Sequence, residues 1–445
     1  MSEQIEPATW DEPVMHRALA ARDVSAVYRL LCDAGLSQTE ISRLTGQSQS
    51  EVSEILNGRK VMSYAVLERI CDGLGIPRGH MGLAYDETCH LALPPPPDDT
   101  EVDEDVKRRA LLAAGGMVMF GAPVLGVPDP SALTFRDVIT SPPSHIGMQD
   151  VTTYEQVVTR LGLLDRESGG IAAREMLAAV AQGGEELLSA QCAAPVRQRL
   201  LGAVSEAHRL AGWASGDVGL IDQCRWHMHR ALDRAQGRRE RLAGVLAAAG
   251  DMEKHYGATN DSLKFFQLGT AGLPADADPQ SSAVLHGLSA SAYLMMGHPE
   301  QARSSLANSR AMFADAPDPD SSLPFFAFYG PGHGLLAATG SKLADFEAAR
   351  TDVQRALDVR PDYDVRCRAL DTIVLATILL NAGELRDGIS ETRRALHLVT
   401  TVGSQRVRDR LEPLEQSLFA RRDSTCQDLA QQVRSLRTPR VSTAT

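Results

Sequence analysis

Between Leu36 and Val61 the side chains able to make directed hydrogen bonds fall in a repeated pattern. Ser37 is followed three residues later by Glu40, and Ser48 by Glu51. A serine that accepts from the backbone three residues on, with a glutamate reaching back, is a capping box. The two boxes stand eleven residues apart and mark the starts of two short helices, with Gly46 in the turn between them. Just inside the second start come Gln49 and Ser50, then Ser53, Glu54 and Asn57, then Arg59 and Lys60. These groups donate, accept and carry charge. Their chemistry is that of recognition.

The elements that must position these groups are legible from the apolar residues. Ile41 and Leu44 form one inward face, and Val52, Ile55 and Leu56 the next. Val27 and Leu31 before them, with Leu67, Ile70 and Leu74 after, complete a small core. The arrangement predicts a helix-turn-helix inside a domain of four or five helices.

The stretch resembles the phage-repressor type of helix-turn-helix found in the Xre family, and the register runs without a gap from Ser37 through Gly58. The resemblance implies a reader of double-stranded DNA. On it, Gln38 starts the first helix, touches a phosphate and braces Gln49. Behind the cap residue Ser48, Gln49 and Ser50 open the recognition helix and meet base edges, and Ser53 and Glu54 point the same way. A glutamine can bond adenine N6 and N7 together, and a serine can reach either kind of edge. Arg43, Asn57, Arg59 and Lys60 contact the backbone.

One departure matters. Between Val24 and Arg78 there are six basic and six acidic residues, so the domain is neutral, and its recognition helix has no Lys or Arg. Phosphate neutralisation supplies most non-specific affinity. A lone domain should therefore bind weakly and become useful as a homodimer, where two linked readers raise the effective affinity. The alternative is a protein-interaction adaptor whose helix-turn-helix does not read DNA.

The rest of the chain predicts an all-α protein. Pro94–Pro97 and the acidic octet Asp98–Asp105 form a linker, because consecutive prolines stay extended and the octet cannot bury itself. The expected divisions are a helix-turn-helix domain at 1–93, the linker at 94–105, an apolar segment and irregular joint at 106–150, a helical repeat domain at 151–437 and a disordered tail at 438–445. Lys107-Arg108-Arg109 precedes the apolar run 110–127, which imitates an export signal. Its glycines, Pro123 and internal position favour a buried or capping helix over a membrane segment.

The second half is self-similar. Gly219, Gly257, Gly297, Ala344 and Gly383 are separated by 38, 40, 47 and 39 residues. Each has a small residue seven before, five after and twelve after it, as paired antiparallel helices need where their backbones approach. The pattern resembles tetratricopeptide repeats, with Pro274 and Pro361 where that family's closing proline falls. It implies an α-solenoid over 205–400, with flanking helices at 151–200 and 405–437 as caps. A reader followed by such repeats resembles a large group of actinobacterial regulators and the peptide-sensing regulators of Gram-positive bacteria. That resemblance implies a signalling peptide held in a concave face, and the domain pair with its proline spacer leads us to expect that the repeats also dimerise and sense a peptide, small-molecule or protein ligand. Glu206, Arg209, Trp213, Asp251 and Lys254 share one candidate groove face.

Other signals carry less. Seven scattered cysteines without a Cys-x-x-Cys pair suit reduced thiols in a cytoplasm. In Trp226-His227-Met228-His229, residues two apart on a helix face away from each other and cannot share a metal. FYGPGHG at 328–334 follows no strand and reads as a helix break or inserted loop. No nucleophile triad, metalloprotease motif or phosphate loop occurs. No enzyme, cofactor, metal or membrane association is expected. Hydrophobic residues at 43% exclude wholesale disorder, and the net charge of −12 opposes a nucleic-acid coat. Half of that charge sits in the Asp98–Asp105 octet, which holds six acidic residues and no basic ones.

Overall fold

The computed structural model describes residues 9–10, 12–84, 144–235, 238–315 and 333–437. The proline and acidic linker, the 110–127 run, most of FYGPGHG and the tail lie outside them. The described residues are helical, apart from turns and one isolated bridge between His145 and Gln191. None of their helices is long and apolar enough to cross a membrane.

The N-terminal domain contains α1 (Pro13–Ala20), α2 (Val24–Asp33), α3 (Gln38–Thr45), α4 (Gln49–Leu56) and α5 (Tyr64–Leu74), then a 3-10 turn at Arg78–Met81. Both capping boxes form, at Ser37 with Glu40 and at Ser48 with Glu51. Gly46 closes α3 at φ +64°, a conformation glycine enters without steric cost. The apolar faces read from the sequence meet in one core, which Trp10, Tyr28 and Met81 extend. Gly73 brings α5 into backbone contact with α3: a Cβ there would lie 2.1 Å from the Leu44 carbonyl oxygen.

The C-terminal region opens with α6 (Met148–Ser168) and α7 (Gly170–Leu187). Five antiparallel pairs follow. They are α8 (Ala194–Asp217) with α9 (Ile221–Arg234), α10 (Arg239–His255) with α11 (Thr259–Gly272), and α12 (Pro279–Met295) with α13 (Pro299–Asp315). Then come α14 (His333–Lys342) with α15 (Phe346–Val359), and α16 (Val365–Asn381) with α17 (Leu385–Thr401). Short α18 (Gln405–Asp409), α19 (Glu412–Phe419) and α20 (Ser424–Arg437) end the described chain. The region is repeat-like, and the five expected turn residues are where its pairs reverse. All five are left-handed: Gly219 at φ +90°, Gly257 at +88°, Gly297 at +83°, Gly383 at +86° and even Ala344 at +62°. The small residues seven before the turns serve close packing. A Cβ on Gly250 would meet the Phe266 ring at 2.5 Å, and one on Gly212 the Cys224 carbonyl at 3.1 Å.

Two contacts organise these parts. The N-terminal domain rests on α11. Asn260 there accepts from the Ala84 backbone N–H at 3.0 Å, and Tyr64 donates to Asp261 at 3.4 Å. Arg22 stands at the centre of this contact. It donates to the Met81 and Gly82 carbonyls at 2.8 and 3.1 Å and lies 3.6 Å from Asp261. The second contact joins the ends of the C-terminal region. The Ser168–Ile171 turn exchanges backbone hydrogen bonds with Gly403, at 2.8 Å from Gly403 N–H and 3.2 Å to its carbonyl. Buried Arg366 on α16 reaches Asp165 on α6 at 2.8 Å, with Asp217 on α8 3.8 Å away. The expected caps thus differ in role: α19 and α20 pack on α16 and α17, whereas the segment before them runs back to α6, α8 and α10.

Ala344 yields a test. A left-handed alanine costs about 1–2 kcal/mol in the folded chain, part of which glycine returns as unfolded-state entropy. Ala344→Gly should stabilise the protein by about 0.5–1 kcal/mol in denaturant titration. A loss of stability would show that the alanine methyl is worth more in packing than its backbone costs.

Candidate nucleic-acid interface

The turn between α3 and α4 is held by polar groups inside the domain. Gln47, only 6% exposed, takes a hydrogen bond from the Tyr28 hydroxyl through its side-chain oxygen. The Thr45 hydroxyl lies 3.1 Å from the same oxygen and 2.7 Å from the Ile41 carbonyl. Ser42 donates to the Gln47 carbonyl at 2.6 Å. Burial pushes the Tyr28 phenol well above its usual range, so it stays a donor. Nothing in the apolar pattern announced Tyr28 and Gln47 as a pair. Their sequence separation of 19 hides them, and a buried glutamine leaves no periodic signal.

This scaffold presents the expected residues on one open surface. Gln38, Arg43, Ser48, Gln49, Ser50, Glu54, Asn57, Arg59 and Lys60 are exposed, and Ser53 is half-buried. Ser48 accepts from the Glu51 N–H at 3.2 Å and donates to the Glu51 carboxylate at 2.9 Å. Its oxygen is also 3.0 Å from the Ser50 hydroxyl, which is thereby oriented. The Ser48 backbone N–H and hydroxyl both donate to Glu51, which holds that carboxyl below its usual range, and Glu40 is held down in the same way by Ser37. These glutamates cap helices and are spoken for.

Two details differ from expectation. The resemblance gave Gln38 the task of bracing Gln49, but the brace is Thr39: Gln49 Nε2 donates to its hydroxyl at 2.9 Å. At α3's start the shorter side chain, Thr39, is the one that reaches α4. Arg59, expected on a phosphate, instead pairs with Glu54 at 2.5 Å. This also accounts for a carboxylate on the recognition helix. Both partners are more than half exposed, so the pair adds little stability.

Two short helices capped this way, a left-handed glycine between them and an uncovered second helix define a helix-turn-helix. Residues 18–81 match the model of a family described as a helix-turn-helix domain. A domain of this kind suggests a DNA-binding regulator. A comparison with curated proteins finds no match to the chain.

The expected groove face is corrected. Glu206, Arg209, Trp213, Asp251 and Lys254 do come together, but four of them are closed off. Arg209 and Asp251 are 2% exposed, and Trp213 and Lys254 are 1% exposed. Arg209 donates to Glu206 on the same helix at 2.8 Å, and Lys254 lies 2.8 Å from Asp251. The cover is the chain's own α18. Arg406 lies over the Trp213 ring at 4.6 Å and donates to Asp251 at 2.6 Å. Ser404 donates to Asp217 at 2.8 Å. Burial works to raise Asp251, but Lys254 and Arg406 outweigh it and keep the carboxylate ionised. Burial draws Lys254 down to about 8, helped by Arg410 and Arg406 and opposed by Asp251.

The two histidines of the Trp226–His229 stretch do separate. His227 is buried against His208, with Nδ1 atoms 2.9 Å apart, while His229 is half-buried, 3.7 Å from Asp233. No metal-holding group of three or more His, Cys, Asp or Glu occurs among the described residues.

Two tests follow from these geometries. Glu54→Gln frees Arg59 to reach a phosphate. Affinity for mixed-sequence duplex should rise a few-fold, and the slope of log K against log salt should steepen by about 0.9. An unchanged slope in anisotropy titrations would place Arg59 off the DNA. The second concerns His255, whose Nε2 is 3.2 Å from Asp409, the last residue of α18. Burial, then Arg406 and Arg410, draw its imidazole down to about 4, so at neutral pH this contact is a hydrogen bond and not an ion pair. The unfolded chain takes up that proton near pH 6.5, the folded one only near 4. Stability should therefore be full above about pH 6.5 and decline by on the order of 3 kcal/mol toward pH 4. In His255→Gln the decline should be shallower. An identical pH profile would show that His255 titrates normally.

Proposed function

We propose that the chain is a sequence-specific, DNA-binding transcriptional regulator, acting in the cytoplasm. The single observation that carries this reading is the uncovered start of α4. Gln49 and Ser50 stand exposed there with their polar ends already oriented by Thr39 and Ser48. Side chains fixed by neighbours lose little freedom on binding.

In this reading the tetratricopeptide-like region brings two copies together, because a neutral domain grips phosphate poorly. Dimerisation is supported by that electrostatic shortfall and by the resemblance to regulators of the same two-part plan. A peptide, small molecule or partner protein acts through the same region. The buried groove face supports a particular form of this. An effector that entered there would have to displace α18, and so would compete with Arg406 for Asp251 and Trp213.

The test is a genome-wide DNA pull-down with the full chain, repeated with Gln49→Ala and Ser50→Ala combined. Enriched sequences should be recovered with the native chain and lost with the double variant, at unchanged thermal stability. Recovery of no enriched DNA by the native chain would favour the adaptor reading.

A further inference from the structure

We infer that Arg22 and Asp261 form a latch that docks the helix-turn-helix domain on α11 with its reading surface free, so that the helical region sets where that surface meets DNA. The inference rests on the DNA-reading function proposed above and deepens it to a means of regulation.

Arg22 lies in the turn between α1 and α2 with a left-handed backbone, at φ +54°. A bulky residue rarely takes that conformation, and such strain persists where the surroundings over-determine it. Here the surroundings are three parts of its own domain and one of α11. The guanidinium donates to the Met81 and Gly82 carbonyls at 2.8 and 3.1 Å and to the Tyr64 hydroxyl at 3.0 Å. It also lies over the Tyr64 ring, 5.0 Å from the ring centre. The Nη2 that bonds Gly82 stands 3.6 Å from Asp261, and Tyr64 in turn donates to that carboxylate at 3.4 Å. The planar fork thus gathers the α1–α2 turn, the start of α5 and the chain after the 3-10 turn, and aims them at one carboxylate of α11.

The flank is apolar and closed. Ala84, 2% exposed, packs into the hydrophobic core of the helical region, and its N–H donates to Asn260 at 3.0 Å. Asn260 itself donates to Glu68 of α5 at 3.4 Å. Asp261 is half-buried, and burial raises its carboxyl above the usual range while Arg22 opposes that. An arginine in its place would face Arg22 and the buried Lys264 instead.

The contact uses none of the groups proposed to read DNA. Gln49, Ser50, Arg59 and Lys60 stay exposed on α4 and in the loop after it while the domain is docked. A docked domain is therefore free to read. Tyr64 closes that loop, so the latch also holds one end of it. With the latch open, only residues 85–143 would join the domain to the helical region. A long connection gives a lower effective concentration than a fixed placement and fits many spacings of two half-sites.

The experiment uses the full chain as native, Asp261→Glu, Asp261→Asn and Asp261→Arg. Docking is followed by hydrogen exchange of the Ala84 amide. DNA binding is titrated with duplexes carrying two copies of the half-site that the native chain selects, at the selected spacing and with about half a helical turn more between them, and with one copy alone. The native chain and Asp261→Glu should prefer the selected spacing by about 10-fold or more, and Asp261→Arg by about 3-fold or less, with Asp261→Asn between them. In Asp261→Arg the Ala84 amide should exchange faster, while helix content is unchanged and affinity for the single half-site does not fall.

An unchanged spacing preference in Asp261→Arg would overturn the inference and leave the DNA reader intact, as would a native chain that ignores spacing. A loss on the single half-site as large as on the pair would also overturn it, since that marks a merely structural residue. So would tighter binding by Asp261→Arg at every spacing, because the docked domain would then be a blocked one. If the native chain selects no sequence at all, the DNA-reading function and this inference fail together.

Discussion

Arg366 is the residue on which the C-terminal region turns. It is 1% exposed and stands against Asp165, with Asp217 on its other side. Taking such charges out of water costs several kcal/mol per ion, and only close, satisfied geometry offsets that. A cluster of this kind tolerates almost no slippage, because an unpaired buried charge is strongly destabilising. It therefore fixes α16 against α6 and α8, elements that lie far apart in the chain. Asp217 also accepts from the Gly170 N–H at 3.1 Å and from Ser404, so the same carboxylate holds the α6–α7 turn and the segment entering α18.

From that constraint the fate of the inner face follows. Once Gly403 and Ser404 are pinned, Arg406 has to emerge beside Trp213 and Asp251. A cation over an indole, joined to a carboxylate, suits a buried guanidinium well. The face that would otherwise be an open groove becomes an interior. Any effector that acts there meets a site already filled by a complementary group from its own chain, and its binding energy is reduced by whatever that group contributes. The contacts of Arg22 and Tyr64 with Asp261 set the helix-turn-helix domain against α11. Displacement of α18 would be felt on α10 through Asp251, and α10 pairs with α11.

Much of this was legible in the sequence, for local reasons. Capping boxes and turn glycines act within a few residues, so spacing alone locates them, as at Ser37, Ser48 and Gly46. The repeat register held even at Ala344, where residue type argued against a left-handed turn, because the flanking small residues outvoted it. What stayed hidden was long-range. Trp213 and Lys254 lie on helices whose pattern does not say that residue 406 will cover them. An inner face lined by charge looks the same in sequence whether water or an arginine from the far end faces it. At the reader the limit was finer. Spacing put Gln38, Thr39 and Gln49 at helix starts, but only side-chain direction decides which of the first two meets the third.

The reader's electrostatics set a division of labour. Arg59 is held by Glu54, and the recognition helix adds no positive charge, so little of the sequence-independent grip on phosphate is available from one domain. Thr39 and Ser48, by contrast, hold Gln49 and Ser50, the two side chains that would read bases in the proposed function. Such a head loses less in discrimination than in affinity, since base-edge bonds survive neutrality while phosphate attraction does not. In the proposed function the shortfall in grip is a control point. On that proposal, the affinity gained by joining two heads would depend on their spacing, which the helical region would set.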